Sequence, residues 1–480
     1  MNRKMIAYMI GSILQIESVL LLLPLALSLV YRDGCYPYFL ISIAFSFLIG
    51  LPLTRFFKSR DKTIFAREGF IIVALSWLTM SLVGALPFYL SGQIPSFIDA
   101  FFETVSGFTT TGASVVTNIE EMSHSLIFWR SFTHWIGGMG VLVFIMAIFP
   151  SESGRSVHIM RAEMPGPIVG KLVPRVRNTA KLLYFIYIGM TVVQIILLLF
   201  GDMNLFESIV HTFGSAGTGG FGLKADSIGG YSAYSQWVIT IFMFLFGINF
   251  NLYYLVLIGK LKSALKSTEL WVYFTIVILS VAVISVNIFH LYGNLSDTVR
   301  HSAFQVSSII TTTGYSTADF NIWPEFSKTL LIILMFVGAC AGSTGGGIKV
   351  SRVVLLFKSL RLELRKLIHP RSVGVVNFEG KRIDDGTLQS VNSYLAVYFI
   401  LFFAIFLLLS LDKFNFTTNF TATASCFNNI GPGLDAVGPM GGYSDFSGAS
   451  KLLLSGAMLL GRLEIFPILL TISPSTWTRR

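Results

Sequence analysis

Ser106-Gly-Phe-Thr-Thr-Thr-Gly112 is a short polar strip between two long apolar stretches of the chain. Three further strips share its length, its small polar residues and its final glycine: Gly214-Ser-Ala-Gly-Thr-Gly-Gly220, Ser308-Ile-Ile-Thr-Thr-Thr-Gly314 and Ser425-Cys-Phe-Asn-Asn-Ile-Gly431. Aligned on the last glycine, the four strips recur at intervals of 108, 94 and 117 residues. Such recurrence indicates internal duplication, so the sequence predicts four related units in one chain.

The strips lie in a chain with the composition of an integral membrane protein. Of its 480 residues, 53% are hydrophobic and 12% are charged, and the mean hydropathy is +0.71. Soluble proteins carry about a quarter charged residues, so these values favour lipid as the surroundings. A membrane-spanning helix needs about 20 mostly apolar residues. Ten stretches predict an all-α membrane protein with ten transmembrane helices: 5–30, 37–54, 68–90, 126–149, 182–201, 235–258, 270–291, 328–357, 390–411 and 452–473.

The positive charges predict the orientation of these spans, because Lys and Arg concentrate in cytoplasmic connections. Two connections, 91–125 and 202–234, hold only Lys224 between them. The others are rich in basic residues: Arg55, Lys58, Arg60, Lys62, Arg67, Arg155, Arg161, Lys171, Arg175, Arg177, Lys181, Lys260, Lys262, Lys266, Lys358, Arg365, Lys366, Arg371 and Arg382. Ten spans then place both termini in the cytoplasm. The net charge of +10 is thus a signal of topology, and no nucleic-acid partner is predicted.

Each strip follows a half-length apolar stretch, such as 97–108, and precedes a new span on the outer side of the membrane. Irregular backbone at membrane depth is tolerated only where it is buried in protein or lines a watery cavity. Four strips can aim their carbonyl oxygens at one axis and replace the hydration shell of a cation. The alternative interpretation is that the strips are re-entrant segments with only a packing role. The predicted ion-binding residues are Thr110, Thr111, Gly112, Thr218, Gly219, Gly220, Thr312, Thr313, Gly314, Asn429, Ile430 and Gly431.

The order of span, pore helix, filter strip and span, four times in one chain, resembles the superfamily of K+ transporters that includes TrkH, KtrB and the plant HKT proteins. The resemblance implies channel-like K+ uptake across the cytoplasmic (inner) membrane of a bacterium, with Rb+ as a surrogate ion. In this family a glycine in every filter goes with K+ selectivity, and serine in the first filter goes with Na+ preference. The glycines at 112, 220, 314 and 431 therefore imply K+.

The same resemblance divides the chain into five parts. TrkH-like members carry two additional N-terminal spans, which correspond to residues 1–66 here. The four pore repeats then occupy 67–150, 151–260, 261–370 and 371–480, and the second helix of the third repeat is expected to be broken.

That break is predicted from Gly338-Ala-Cys-Ala-Gly-Ser-Thr-Gly-Gly-Gly347, because each glycine destabilises a helix by about 1 kcal/mol relative to Ala. The break is either a kink for close helix packing or a gating loop under the filter. Arg462 lies inside the last span, where a charge usually faces the protein interior or a water-filled cavity. Both features resemble TrkH and KtrB, which carry an intramembrane loop in the corresponding third-repeat helix and an arginine in the matching last helix. The resemblance thus implies a gate formed by Arg462, Gly345, Gly346, Gly347 and Lys349.

The resemblance also implies a homodimer that works on a cytosolic ring of a nucleotide-binding regulatory protein similar to TrkA. Basic segments 150–181 and 358–388 could contact anionic lipid or a docked protein. No catalytic set or metal cluster recurs, so neither an enzyme nor a cofactor is predicted. The resemblance implies K+ as the transported ion. Strips 2 and 4 lack Thr-Thr-Thr, so a Na+-permeable protein is one alternative. A cation-coupled symporter is another. An organic-solute carrier would more often show two related halves.

Overall fold

The computed structural model describes residues 2–58, 65–140, 176–370 and 374–477, and its regular structure is almost entirely α-helical. The helices up to residue 257 are Arg3–Leu20, Leu22–Tyr31, Tyr36–Phe56, Ala66–Gly84, Leu86–Leu90, Phe97–Phe108, His124–Gly138, Val176–Leu199, Leu205–Gly217, Ala233–Phe246 and Phe250–Leu257. The later helices are Leu261–Ala264, Thr268–Tyr292, Leu295–Ile310, Glu325–Val337, Val350–Ile368, Asp385–Leu409, Phe416–Asn428, Gly448–Arg462, Phe466–Ile472 and Pro474–Trp477. A short antiparallel hairpin pairs Asn377–Phe378 with Lys381–Arg382.

Six helical segments are long and apolar enough to cross a membrane, and they lie where the sequence predicts six of the ten spans. They are Arg3–Tyr31, Tyr36–Phe56, Arg67–Leu90, Lys181–Leu199, Thr268–Tyr292 and Asp385–Leu409. Their surfaces carry large exposed apolar side chains, including Val30, Phe185 and Val286, which are 73–81% exposed. A surface of this kind is compatible with lipid, so the prediction of a helical membrane protein is confirmed.

The remaining four predicted spans are not continuous helices of that length among the described residues. The 235–258 span is Ala233–Phe246 and Phe250–Leu257, bent by 92°. The 328–357 span stops at Val337, resumes at Val350 and runs on to Ile368, so the predicted break is present. The prediction of an unbroken 452–473 helix is wrong, because Glu464 and Ile465 both take positive φ angles after Arg462.

The fourth of these spans, predicted at 126–149, is described as the helix His124–Gly138. Residues 141–149 of that prediction lie outside the described residues. The same holds for seven of the basic residues that predict the orientation: Arg60, Lys62, Arg155, Arg161, Lys171, Arg175 and Arg371.

The unpredicted bend between Phe246 and Phe250 is closely packed at Gly247. A β-carbon at this position would lie 2.5 Å from the hydroxyl of Tyr273 and 2.8 Å from a methyl group of Thr311. The Gly247 carbonyl leaves the helix and accepts the N–H of Cys340 at 3.1 Å. The side chain of Asn249 then caps the next helical segment. Every backbone group freed in lipid needs such a partner, so the bend depends on the neighbouring repeat.

The two N-terminal helices pack closely through small residues. A β-carbon on Gly11 would lie 2.6 Å from Leu53 Cβ, and one on Gly50 would lie 2.8 Å from the Gly11 carbonyl. Close approach of helix backbones at glycine is the usual way that membrane helices associate, because lipid provides no hydrophobic driving force between them. The first of the two, Arg3–Leu20, also packs against the helix Ala66–Gly84.

Candidate ion pathway

Each of the four polar strips begins in the last turn of a short helix, here called a pore helix, and continues beyond its end. The pore helices are Phe97–Phe108, Leu205–Gly217, Leu295–Ile310 and Phe416–Asn428. Each begins at a side-chain cap, respectively Ser96, Asn204, Asn294 and Asn415, whose oxygen accepts a backbone N–H of the first turn. Each ends at its strip, so the partial negative charge of the helix C-terminus lies next to the strip.

All four pore helices end in the same backbone turn. The second-last residue of each strip donates its N–H to the carbonyl five residues earlier, and the residue before it has a left-handed backbone. The bonds are Thr111 to Ser106 (2.9 Å), Gly219 to Gly214 (2.8 Å), Thr313 to Ser308 (2.8 Å) and Ile430 to Ser425 (2.9 Å). The left-handed residues are Thr110, Thr218, Thr312 and Asn429, with φ of 54°, 55°, 59° and 58°. This is a Schellman turn, which directs the N–H groups back into the helix.

The final glycines close the four strips into a ring. Their φ angles of 78°, 75°, 87° and 99° are accessible mainly to glycine. Each also lies against the carbonyl of the next strip, because an added β-carbon would come within 1.9 to 2.7 Å of that oxygen. The neighbouring pairs are Gly112 with Gly219, Gly220 with Thr313, Gly314 with Ile430 and Gly431 with Thr111. The strips therefore contact one another in the cyclic order 1, 2, 3, 4, 1.

The four final glycines border one cavity of about 150 Å³. The residues that follow each strip form the rest of its wall, among them Ser114, Phe221, Ser316 and Pro432. The structure thus brings together the four glycines that the sequence predicts as ion-binding residues, although they lie up to 319 positions apart in the chain.

The threonine and asparagine side chains of the strips differ in what they contact. The Thr110 hydroxyl is buried and has no hydrogen-bond partner among the described residues, so it is free to bind an ion or water. The Thr111 hydroxyl pairs with that of Thr109 at 2.8 Å. The Asn429 amide nitrogen Nδ2 donates to Thr111 Oγ1 and to the Met458 carbonyl, both at 2.9 Å, whereas its Oδ1 is buried without a hydrogen-bond partner among the described residues. Asn429 thereby joins strip 4 to strip 1 and to the last long helix.

The connection 338–349, here called the glycine loop, packs directly against the strips. The Gly346 N–H donates to the Thr312 hydroxyl at 2.6 Å. A β-carbon on Gly345 would lie 2.8 Å from the Thr311 carbonyl, and one on Gly346 would lie 2.5 Å from the carbonyl of Asn428. The loop therefore fits only with glycine at these positions.

Lys349 holds the same loop from its far end. It is buried, takes a φ of 82°, and its ammonium group donates to the Gly345 carbonyl. The backbone of Gly347, with φ of 76°, lies against Gly338, so the two ends of the loop meet. The predicted loop residues thus lie together under the strips.

Arg462 connects this loop to the first repeat. Its guanidinium donates to the Thr344 carbonyl at 2.8 Å and to the carbonyls of Gly137 and Gly138 at 2.5 and 2.8 Å. The latter two lie at the end of the helix His124–Gly138, where carbonyls lack helical partners. Glu464 pairs instead with Arg352, so the local Arg462–Glu464 pair is not formed.

Other residues that support the strips carry weaker sequence signals. Glu103 forms a buried ion pair with Arg130 at 2.5 Å and accepts the N–H of Val115 at 2.9 Å, which holds the backbone that follows strip 1. His134 Nδ1 lies 2.7 Å from the Gly107 carbonyl, and its ring packs against Gly219. In the sequence, the only signal for the Glu103–Arg130 pair is that the two apolar segments carry charges of opposite sign.

The fold and this site together define a class of protein. Half-length helices that end on a common cavity, inside a set of apolar spans, are typical of membrane proteins that move ions. Among the described residues, no group of three His, Cys, Asp or Glu is placed to hold a metal ion.

Comparison with known proteins identifies the family. The TrkH family, described as cation transport protein, matches residues 36–478. The Trk system potassium uptake protein TrkH of Escherichia coli (strain K12) is 34% identical over 99% of this chain and 100% of its own length. The protein TrkG of the same strain is 33% identical over 99% of this chain and 98% of its length. The crystal structure of the potassium transporter TrkH from Vibrio parahaemolyticus matches with a TM-score of 0.91 at 31% identity, over 100% of both chains.

The chain belongs to the TrkH family of cation transport proteins. It is therefore a transport protein and not an enzyme.

Proposed function

We propose that this chain mediates K+ uptake across the cytoplasmic membrane of a bacterium, through a channel-like pore whose selectivity filter is formed by the four strips. The closed ring carries the proposal, since the final glycine of each strip lies against a carbonyl of the next and all four border one cavity. Carbonyl oxygens that converge on an axis can replace the hydration shell of a bare cation. The similar proteins are named potassium uptake proteins, which supports K+ as the ion and Rb+ as its surrogate.

The proposed architecture has ten membrane-crossing segments, two before the repeats and two in each repeat. The repeats occupy 67–150, 151–260, 261–370 and 371–480 around the central pore. The four identical turns at the ends of the pore helices support this division, because equivalent units are expected to share their backbone geometry. Both termini lie in the cytoplasm. A homodimer, surrounding lipid and a cytosolic nucleotide-binding ring protein complete the proposed assembly.

The glycine loop and Arg462 form the proposed gate. The loop fills the space next to Thr311, Thr312 and Asn428. Arg462 adds a positive charge beside the loop, where it binds the Thr344 carbonyl. A fixed positive charge on the pathway opposes cation passage through its field. Conduction then requires that the loop and the guanidinium move together, since the Thr344 carbonyl joins them.

The proposal is tested by cation flux into liposomes that contain the purified protein. Uptake of K+, Rb+, Na+ and Li+ is measured under an imposed gradient, with and without the regulatory ring protein. We expect K+ and Rb+ flux well above that of Na+ and Li+. Protein-free liposomes, and liposomes with heat-denatured protein, provide the background rates.

The other outcomes separate the alternatives. Equal K+ and Na+ flux would mean that strips 2 and 4, which lack Thr-Thr-Thr, make the filter loose. K+ uptake that depends on a proton or Na+ gradient would indicate cation-coupled symport. No cation flux from folded protein would overturn the pore and favour a carrier for an organic solute.

A further inference from the structure

The glycine loop needs anchors besides those at the strips, because a segment with five glycines has little conformational preference of its own. Its outer contacts join it to the bend of the second repeat, where the Phe250 N–H donates to the Gly342 carbonyl at 3.0 Å. Arg462 binds the Thr344 carbonyl. Neither contact reaches the start of the helix Val350–Ile368, which follows the loop. That helix has no side-chain cap from its own N-cap residue, Lys349.

Besides the bond from the Val350 N–H to the Ala339 carbonyl at 3.1 Å, Glu269 anchors the start of this helix from another element. It lies in the first turn of the span Thr268–Tyr292 and is only 5% exposed. One carboxylate oxygen accepts the N–H of Ala341 at 2.7 Å and the N–H of Ser351 at 3.0 Å. The first donor lies in the loop and the second in the first turn of the helix after it. A single carboxylate therefore holds both ends of the loop, and its charge lies favourably at a helix N-terminus.

The position of Glu269 is in turn set by the hairpin on the basic side of the protein. Glu379, in the turn between the two short strands, accepts the Glu269 N–H and the Ser267 hydroxyl, both at 3.0 Å. The hairpin also contacts the helix that follows the loop, because the Lys358 ammonium group donates to the Asn377 carbonyl at 2.8 Å. The hairpin thus bridges the same two elements that Glu269 joins.

We propose that Glu269 is the positioning residue that keeps the glycine loop closed, and that the hairpin around Glu379 keeps Glu269 in place. This inference rests on the proposed function, in which the loop blocks the pathway. A displacement of the hairpin from the cytoplasmic side withdraws the hydrogen bonds to Glu269 and Ser267, and the carboxylate then releases the Ala341 and Ser351 N–H groups. The hairpin is therefore the part of this chain through which a cytosolic partner would open the pore.

The native thiol of Cys340 gives a test that does not depend on transport. Cys340 lies in the loop beside Ala341 and is fully buried. In a background with Cys35→Ala and Cys426→Ala, we expect Glu269→Ala to speed its labelling by a water-soluble methanethiosulfonate reagent about tenfold, because two hydrogen bonds to a charged acceptor are lost. Glu269→Gln keeps an oxygen that accepts N–H groups, so it should restore most of the protection.

Controls separate this role from a general loss of structure. Glu363→Ala removes an exposed carboxylate on the same side of the protein and should change nothing. Glu379→Ala should raise Cys340 labelling less than Glu269→Ala does, because it acts through Glu269. Unchanged labelling in a folded Glu269→Ala variant, judged by size-exclusion chromatography, would overturn the inference. Faster labelling without increased K+ leak would uphold the anchor and overturn the loop as the proposed barrier.

Discussion

The left-handed backbone of Thr110, Thr218 and Thr312 is unfavourable for a β-branched residue and costs of order 1–3 kcal/mol at each position. Asn429, in strip 4, adopts the same conformation at lower cost because asparagine tolerates it well. Strain of this kind persists only where the surrounding structure imposes it, and functional sites are where it concentrates. At the residue scale, this left-handed turn ends each pore helix and leads the strip to its final glycine.

The final glycines should tolerate no side chain. We expect Gly112→Ala to reduce K+ flux, or the ratio of K+ to Na+ flux, at least about tenfold, because the methyl group would lie 1.9 Å from the Gly219 carbonyl. Gly92→Ala is the matched control, since Gly92 has a φ of 74° but no atom within 4 Å of the added carbon. Its cost should be limited to backbone strain of about 1–2 kcal/mol. Wild-type flux and selectivity in Gly112→Ala would contradict the ring.

Arg462 should oppose ion passage. We expect Arg462→Ala to raise K+ flux through the reconstituted protein about tenfold, because a charge-assisted contact to Thr344 and a positive charge on the pathway are both removed. The control is Arg361→Ala, which removes an exposed arginine from the helix Val350–Ile368. An unchanged rate in folded Arg462→Ala protein would remove the arginine from the gate.

At the scale of elements, the start of the second helix is held in the same way in three of the four proposed repeats. A side chain from the loop before the pore helix accepts the N–H of the serine that caps the second helix. The pairs are Gln93 with Ser123 (3.0 Å), Asp202 with Ser232 (2.8 Å) and Asp412 with Ser447 (2.9 Å). The third repeat cannot form this bond, because its cap is Pro324, which has no N–H. These three bonds fix the separation between the ends of the two helices that flank the first, second and fourth pore helices.

The Asp412 bond makes a prediction about pH. Burial raises the pKa of Asp412, but hydrogen bonds from Ser447 and Lys413 outweigh this effect and lower the pKa to about 2. A carboxyl whose pKa is lower in the folded state stabilises the fold above its unfolded pKa near 4, and this contribution is lost as the pH falls through the folded value. We expect Asp412→Asn to lower the thermal midpoint at pH 7 by about 2 °C.

Thermal unfolding of purified protein between pH 7 and pH 3 measures this effect. The difference between wild type and Asp412→Asn should be full at pH 7 and smaller at pH 3, because at pH 3 the carboxyl is largely protonated in the unfolded chain and still mostly ionised in the folded protein. Asp445→Asn, at an exposed position on the same side, should show no difference at either pH. A constant difference in thermal midpoint between pH 7 and pH 3 would show that the charge of Asp412 does not stabilise its contact with Ser447.

At the scale of the whole molecule, charge and apolar surface lie in separate zones. Large apolar side chains cover the long spans, whereas the exposed residues Lys260 and Lys262 lie at the short helix Leu261–Ala264, and Arg365 lies in the last turn of Val350–Ile368. Lys224 borders the cavity above the strips and is the one basic residue in the sequence of the 202–234 connection. Such asymmetry orients a membrane protein with the basic side in the cytoplasm.

The orientation is tested with single cysteines in a Cys35→Ala, Cys340→Ala and Cys426→Ala background. A membrane-impermeant thiol reagent added to intact cells should label Asp445→Cys and leave Lys262→Cys unlabelled, because only the former faces outward. Both positions are exposed, so both should react once the membrane is permeabilised. Labelling of Lys262→Cys in intact cells would reverse the proposed topology.

The sequence alone predicted the class of fold, six long spans, the four strips and the break after Val337. These features arise from local composition, since apolar length defines a span and a cluster of glycines destabilises a helix. It also pointed to Arg462 and the glycine loop as neighbours, through a family resemblance and the cost of a charge in a membrane.

Only the tertiary structure decided how these parts meet. The cyclic order of the strips, the 92° bend at Gly247 and the anchoring of the loop by Glu269 depend on contacts between residues tens to hundreds of positions apart. The break after Arg462 shows the same limit, because the preceding residues favour a helix and a β-branched Ile465 gives no warning of a positive φ. Local pattern indicates what each segment can form, whereas packing between distant segments determines where a helix must break.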